Sequence, residues 1–322
     1  AYAALAEGQA EDMAPDGTVR GRVAGSRCFI AWMAADLQAI PPLANHLHAA
    51  SQASNQRESL GWAHLLLCSV AYQHNDLRTA EMHAKALEEM RYVCTPMAYL
   101  QSVFVDASIC QAHGQSLEAL RKLEFAIAFL SESRSEGLLP LVEAFQAELN
   151  ARQGDLDAAG QWATSVGPYV PLTLMPYFYA PQLTLPKILL AQNTPVSLKQ
   201  AADVLSRLYD FVTATHNTCF TIQALALKAL VQNALDDEQA ALATLREAVT
   251  LAQPGGFVRL FVDLGPAMAY LFGRLAATDP ASNYVRQIRQ AYIAEPSSLT
   301  LPTATSDGLI DVVEPLTKRE VE

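Results

Sequence analysis

A recurring alanine is the feature that most limits how this chain can fold. The alanines are Ala80, Ala119, Ala159, Ala201 and Ala241, at intervals of 39, 40, 42 and 40 residues. Twelve residues before four of them stands another small residue, and five residues before the same four stands a turn-forming residue. The small residues are Cys68, Ala107, Ala147 and Ala229, and the turn residues are Asn75, Gly114, Gly154 and Asp236. Cys28 and Ile40 keep the twelve-residue offset and predict an earlier repeat around residues 22–53.

A helical hairpin accounts for this spacing. A small residue on each helix lets the two helices approach closely, and Gly, Asn or Asp accepts a positive φ where the chain reverses. A single hairpin cannot bury its apolar face alone, so neighbouring hairpins must stack. The pattern resembles tetratricopeptide repeats, although the period of about 40 residues exceeds their usual 34. We therefore predict an all-α fold, a right-handed superhelix of about six tetratricopeptide-like hairpins (an α-solenoid); the alternative is a generic helical bundle.

The repeat pattern places six hairpins between residues 22 and 252. Their predicted helix pairs are 22–35 with 37–51, 58–74 with 77–92, 97–113 with 116–131, 138–153 with 156–164, 182–192 with 198–216, and 218–234 with 238–252. Four prolines between residues 167 and 181 exclude a continuous helix across that stretch, because proline lacks the N–H that a helix needs.

Composition and charge exclude several classes of protein. The 322 residues are 51% hydrophobic, rich in alanine and leucine, and contain no apolar run long enough to span a membrane. The net charge of −11 opposes the binding of nucleic acid by this part of the protein. Five cysteines, an odd number without C-x-x-C spacing, predict buried thiols in the cytoplasm rather than disulfides or a zinc site.

No catalytic, metal or cofactor motif is present in the sequence. It has no G-x-S-x-G, H-E-x-x-H or G-x-x-x-x-G-K-(S/T), and the D-D-x-x-D pattern of a helical metal-dependent lyase is also missing. The histidines do not have zinc-ligand spacing and are predicted to be solvated or capping residues: His46, His48, His64, His74 and His83. We therefore predict a protein that is not an enzyme and that holds no cofactor or metal.

Two stretches resemble a known family. ALAL at residues 224–227, followed by ALATLREAVTLAQPGGFVRLFVDLGP at 241–266, resembles the end of the sensor region of MalT-like, large ATP-binding LuxR-family regulators. PLTKREVE at 315–322 resembles the opening of the LuxR-type helix-turn-helix domain. The resemblance implies that residues 1–295 are the helical-repeat sensor domain, 296–314 a linker, and 315–322 the truncated start of the DNA-binding domain.

The inner face of the predicted superhelix is the candidate ligand site. The first helix of each hairpin normally lines that face, and flat aromatic rings there hold small ligands. The candidate residues are Trp62, Tyr72, Gln101, Phe104, Gln111, Tyr177 and Tyr179. Tyr169 and Phe178 lie in the same proline-aromatic stretch as the last two. The alternative is that this stretch only connects two repeats and packs its rings inward.

The function implied by the resemblance is that of a sensor. The domain would bind a small inducer or a regulatory protein and regulate an attached ATPase and DNA-binding domain in a bacterial transcriptional activator. DNA would be bound only through the missing C-terminal domain, no membrane would be involved, and the parent protein would self-associate. The alternative is a pure protein–protein interaction scaffold with no small-molecule ligand.

Overall fold

The predicted α-solenoid is confirmed by a computed structural model, which describes residues 17–167, 172, 177–278 and 282–294. Within these ranges the chain forms helices and turns and contains no strand. Tyr169, the predicted linker at 296–314 and the predicted helix-turn-helix start at 315–322 lie outside the described residues.

Within the described residues, six helical hairpins follow one another. Their helices are α1 (Gly17–Met33) with α2 (Ile40–Ala53), α3 (Arg57–Gln73) with α4 (Leu77–Glu89), α5 (Pro96–Ala112) with α6 (Ser116–Glu132), α7 (Leu139–Arg152) with α8 (Leu156–Val166), α9 (Thr184–Gln192) with α10 (Pro195–Ala214), and α11 (Thr218–Ala234) with α12 (Glu238–Ala252). Three helices complete the described chain: α13 (Arg259–Val262), α14 (Gly265–Thr278) and α15 (Asn283–Ala294). The bounds agree with the repeat-based prediction to within a few residues.

The alanine positions are helix contacts, as the spacing predicts. All five recurring alanines are fully buried, and so are Cys68, Ala107 and Ala229. In the second hairpin the two small residues touch directly, because the Cys68 thiol donates a hydrogen bond to the carbonyl of Ala80, 3.3 Å away. A side chain larger than alanine would force these helices apart.

The turn residues have the backbone conformation that the repeat requires. Asn75, Gly114, Gly154 and Asp236 all have positive φ, between 63° and 87°. Ala35 occupies the same position in the first hairpin with φ 60°, although its residue type gave no turn signal. The residue position, rather than a glycine or asparagine in it, is therefore what the fold repeats.

Aspartates begin several of the second helices. The Asp76 carboxylate accepts a hydrogen bond of 3.1 Å from the backbone N–H of Thr79, and Asp155 and Asp237 make the equivalent contact in later hairpins. Such N-caps satisfy an amide that the helix itself leaves without a partner. Together with the positive-φ residue just before it, each cap determines where the hairpin reverses.

The superhelix returns on itself. Helix α11 of the sixth hairpin packs against α1 of the first, and α13 packs against the end of α3. One hydrophobic core therefore runs through the first, fifth and sixth hairpins and on to α15. In the part of the chain that the structure describes, no helix is long and apolar enough to cross a membrane.

Candidate ligand groove

The first helices of the first four hairpins, α1, α3, α5 and α7, line a common surface, the inner groove. Residues 177–180, the aromatic segment, lie along this groove and contact all four helices. The segment precedes the short 3₁₀ turn Pro181–Leu183 and is not helical; Ala180 has the extended φ and ψ of −140° and 128°. The chain thus places one of its own extended stretches where the sequence predicts a ligand.

Side chains of the groove bind the backbone of the aromatic segment. The Gln101 amide makes two hydrogen bonds to Tyr179: its Oε1 accepts from the backbone N–H at 2.8 Å, and its Nε2 donates to the carbonyl at 3.3 Å. The indole N–H of Trp32 donates to the carbonyl of Tyr177 at 3.2 Å. These bonds satisfy backbone groups of the aromatic segment, which has no hydrogen-bond partners of its own within a helix.

Tyr179 occupies the closed end of the groove. Its ring packs edge-on against Phe104 and Phe145, at centroid distances of 4.9 and 4.8 Å, in the range typical of aromatic pairs. Phe104 is completely buried and Tyr179 is 7% exposed. This end of the groove is therefore packed as tightly as a protein core.

A buried polar chain extends from Tyr179. The Thr184 hydroxyl donates to Glu148 Oε2 at 3.2 Å, so the Tyr179 hydroxyl, 2.6 Å from Thr184, must be the donor in that contact. The second oxygen of Glu148 accepts from Lys187 Nζ at 2.6 Å. Burial and the neighbouring Glu148 carboxylate raise the pKa of Tyr179 well above its usual value, so it remains a neutral donor.

The other end of the groove is open to solvent. Trp62 and Tyr177 stack nearly parallel, 5.8 Å apart with an interplanar angle of 17°, and Phe29 meets both rings edge-on. All three side chains are only partly buried. A flat, apolar molecule or a sugar ring could contact this cluster without unpacking the core.

Tyr72 connects the groove with the C-terminal helices. Its ring packs against Phe178 at 5.5 Å, and its hydroxyl donates to Asp263 Oδ2 at 2.7 Å. Asp263 Oδ1 also accepts hydrogen bonds from Arg259 and from Arg152, the latter at 3.4 Å. Burial alone would raise the pKa of Asp263, but the two guanidinium groups and the Tyr72 hydroxyl lower it below its usual value.

Residues 255–263, the closing segment, are attached to the end of α3 through the backbone as well. The Val258 N–H donates to the Gln73 carbonyl at 2.7 Å, and His74 Nε2 donates to the Gly255 carbonyl at 2.8 Å. Gly255 has no room for a side chain, because a Cβ there would clash with the carbonyl oxygen of Ala35. The turn at Gly255-Gly256-Phe257 therefore allows a close approach between the last hairpin and the first.

Six of the seven predicted groove residues meet around the aromatic segment. They are Trp62, Tyr72, Gln101, Phe104, Tyr177 and Tyr179. Gln111 does not join them: it lies farther along α5 and accepts a hydrogen bond of 2.8 Å from Gln153. The rings of Phe178 and Tyr179 pack inward, as the alternative interpretation expects, while ligand contact by these residues stays a prediction.

Sequence reasoning missed Phe29, Trp32 and Phe145. The repeat itself contained a signal for Trp32, because it precedes Ile40 by eight residues, as Tyr72 precedes Ala80. The predicted groove residues begin with Trp62 in the second hairpin and therefore do not include Trp32. Arg152 and Asp263 had no periodic signal, because Asp263 meets Arg152 and Tyr72 only through the closing of the superhelix.

Comparison with known proteins gives one family match. The family model described as the MalT-like TPR region matches residues 37–278, which include the second helix of the first hairpin, all five later hairpins and the helices up to α14. No curated protein matches the chain at a significant level.

Proposed function

The chain belongs to the MalT-like TPR region family, and on that premise we propose that it is the signal-sensing domain of a bacterial transcriptional activator. It acts by binding a small inducer or a regulatory protein in the inner groove, without catalysis and without a cofactor, in the cytoplasm. The attached ATPase and the LuxR-type DNA-binding domain would respond to that binding.

The open aromatic cluster supports this proposal most directly. Phe29, Trp62 and Tyr177 offer adjoining ring faces at the solvent-accessible end of the groove. Polar groups that could orient a ligand lie deeper, but they are occupied by the aromatic segment. A small ligand would therefore bind first on the Trp62–Tyr177 stack.

The second candidate function, a protein-interaction scaffold, has its own support. The groove already holds an extended stretch of polypeptide through hydrogen bonds to its backbone. A surface that binds a peptide stretch within its own chain has the chemistry to bind one from another protein.

The test is calorimetric titration of the purified domain with hits from a thermal-shift screen of sugars and metabolites. A ligand at a hundredfold excess over its Kd should raise the free energy of unfolding by about 2.7 kcal/mol. We expect Trp62→Ala and Tyr177→Ala to weaken binding while the fold is kept. The control is Phe125→Ala, because Phe125 is 66% exposed and lies on α6, which is not one of the helices that line the groove.

Phe104→Ala is not a useful test of ligand binding. Phe104 is fully buried, and its truncation should cost about 3–5 kcal/mol of stability whether or not a ligand exists. If a metabolite binds but Trp62→Ala and Tyr177→Ala leave its affinity unchanged, the groove is the wrong site. If no small molecule binds, the scaffold function replaces the sensor function.

A further inference from the structure

The aromatic segment is bound in the way that proteins bind peptides. Three hydrogen bonds from Gln101 and Trp32 reach its peptide groups, and none of them depends on which side chains the segment carries. Bonds to the backbone of an extended chain provide affinity, while pockets for the side chains provide specificity.

Each ring of the segment has its own aromatic partners in the groove. Tyr177 stacks on Trp62, Phe178 packs against Tyr72, and Tyr179 fits between two phenylalanines of α5 and α7. Trp62 and Tyr72 lie on α3, while the two phenylalanines lie on α5 and α7, so the three consecutive aromatic residues contact three successive hairpins. The aromatic side chains of the groove therefore match an extended run of aromatic residues.

We propose that the inner groove is a receptor for an extended aromatic peptide of the Tyr-Phe-Tyr kind, and that residues 177–180 are its resident occupant. A partner protein with such a stretch binds by replacing the aromatic segment. This proposal rests on the proposed function in its protein-binding form. The partner would carry an extended aromatic stretch, and we expect the free domain to bind it weakly because the aromatic segment already fills the groove.

Because the aromatic segment already fills the groove, a partner peptide must compete with it for binding. A segment tethered in the same chain competes at an effective concentration in the millimolar range or above, so an outside peptide is outcompeted unless the resident contacts are weakened. Replacement would also remove Phe178 from Tyr72, whose hydroxyl binds Asp263 of the closing segment. Binding of a partner would thus alter the contact between Tyr72 and Asp263, and through it the packing of the C-terminal helices.

The experiment uses a fluorescent peptide with the sequence of residues 177–183, Tyr-Phe-Tyr-Ala-Pro-Gln-Leu, and measures anisotropy. The domain carrying Tyr177→Ala and Phe178→Ala should bind this peptide at least tenfold more tightly than the unmodified domain does. A peptide of the same composition in scrambled order should bind to neither protein.

Gln101→Leu provides the discriminating variant. Added to the weakened domain, in which the resident segment no longer occupies the groove, it removes two hydrogen bonds to the backbone of the bound peptide and should lower the affinity for the peptide about tenfold. Gln111→Leu is the matched control, because it is the same substitution on the same helix at a residue that contacts Gln153 instead. Equal effects of the two glutamine substitutions would overturn the proposal.

If the doubly substituted domain does not fold, hydrogen exchange of the unmodified domain tests the proposal instead. In the unmodified domain the Tyr179 amide is held by Gln101, and a large excess of the peptide should speed its hydrogen exchange. The proposal is overturned if a folded variant does not bind the peptide, if the scrambled peptide binds equally well, or if exchange at Tyr179 is unaffected. Binding of a metabolite at Trp62 in the same preparations would show that the sensor function survives such a failure.

Discussion

Three histidines from successive helices meet on one side of the superhelix, although they stand far apart in sequence. His48 of α2, His64 of α3 and His83 of α4 are partly buried, and the Nδ1 atoms of His64 and His83 lie 3.0 Å apart. The ring of His48 meets that of His64 edge-on at 5.0 Å. Burial, with His83 and His48 nearby, lowers the pKa of His64 from 6.5 to about 4, so its ring is neutral at physiological pH.

This cluster makes the stability of the domain sensitive to acid. Between pH 6.5 and about 4 the unfolded chain binds a proton at His64 and the folded chain does not, so stability falls as the pH falls through this window. We expect a loss of about 1–2 kcal/mol from His64, less than the full shift implies because the ring is only partly buried. Denaturant unfolding at pH 7.5 and pH 4.5 measures it.

His64→Gln should reduce this acid-dependent loss, and His46→Gln should not, because His46 is exposed on α2 outside the cluster. The interpretation is wrong if the two variants show the same difference in stability between the two pH values.

At the scale of the helix pair, the recurring alanines determine how closely the helices of a hairpin approach. Ala119 of α6 is completely buried in the core that also contains Ala107 of α5. The fifth hairpin departs from the pattern: α9 has only nine residues, and Asn193, which follows it, has φ 49°. There the Thr194 capping box begins α10 in place of the aspartate cap. The repeat therefore tolerates a different turn as long as Ala201 stays at the contact.

Enlarging an alanine at such a contact should be costly. Ala119→Leu should reduce the free energy of unfolding by about 1–3 kcal/mol, because the added atoms overpack the hairpin. Ala128→Leu is the matched control, since Ala128 is exposed on the same helix and its change should cost less than about 0.5 kcal/mol. Urea unfolding of both variants measures the difference; equal losses would show that the alanine position is not a helix contact.

At the scale of the whole molecule, the closing segment joins the end of the last hairpin to the beginning of the superhelix. Two arginines, Arg152 and Arg259, share the carboxylate of Asp263, and Tyr72 binds its other oxygen. Arg259 is only 1% exposed, so the Asp263 carboxylate must compensate the cost of burying its positive charge. Because Tyr72 also contacts Phe178, the closing of the superhelix and the occupancy of the groove share one side chain.

Removing the shared carboxylate should open the closing segment. Asp263→Asn leaves two guanidinium groups together without their counter-charge and should cost about 2–4 kcal/mol of stability. The control is Glu238→Gln, because the Glu238–Arg274 pair is exposed to solvent and should contribute little to stability. The pKa of Asp263 is lowered, so the stabilisation is present above its usual pKa of 3.8 and is lost only in stronger acid.

Denaturant unfolding at pH 7, with hydrogen exchange of α15 as a second measurement, distinguishes the two substitutions. Similar losses from Asp263→Asn and Glu238→Gln, with unchanged exchange in α15, would contradict a role for Asp263 in holding the superhelix closed.

The hairpins were predictable because their determinants are local. Ala80 and Cys68 lie twelve residues apart and belong to neighbouring helices, so their contact recurs in the sequence at each repeat. Asn75 and Asp76 likewise mark the reversal of the chain within the hairpin to which they belong. Short-range contacts of this kind leave a periodic pattern, from which the helix bounds and the all-α class follow.

The contents of the groove were decided only by the tertiary structure. Gln101 binds Tyr179 across 78 residues of sequence, and Tyr72 binds Asp263 across 191. Such contacts occur once and leave no period, and they depend on how far the superhelix turns before it meets its own beginning. The sequence by itself determined a stack of hairpins with an aromatic inner face, whereas the winding of that stack decided that its own Tyr177–Phe178–Tyr179 stretch fills the face.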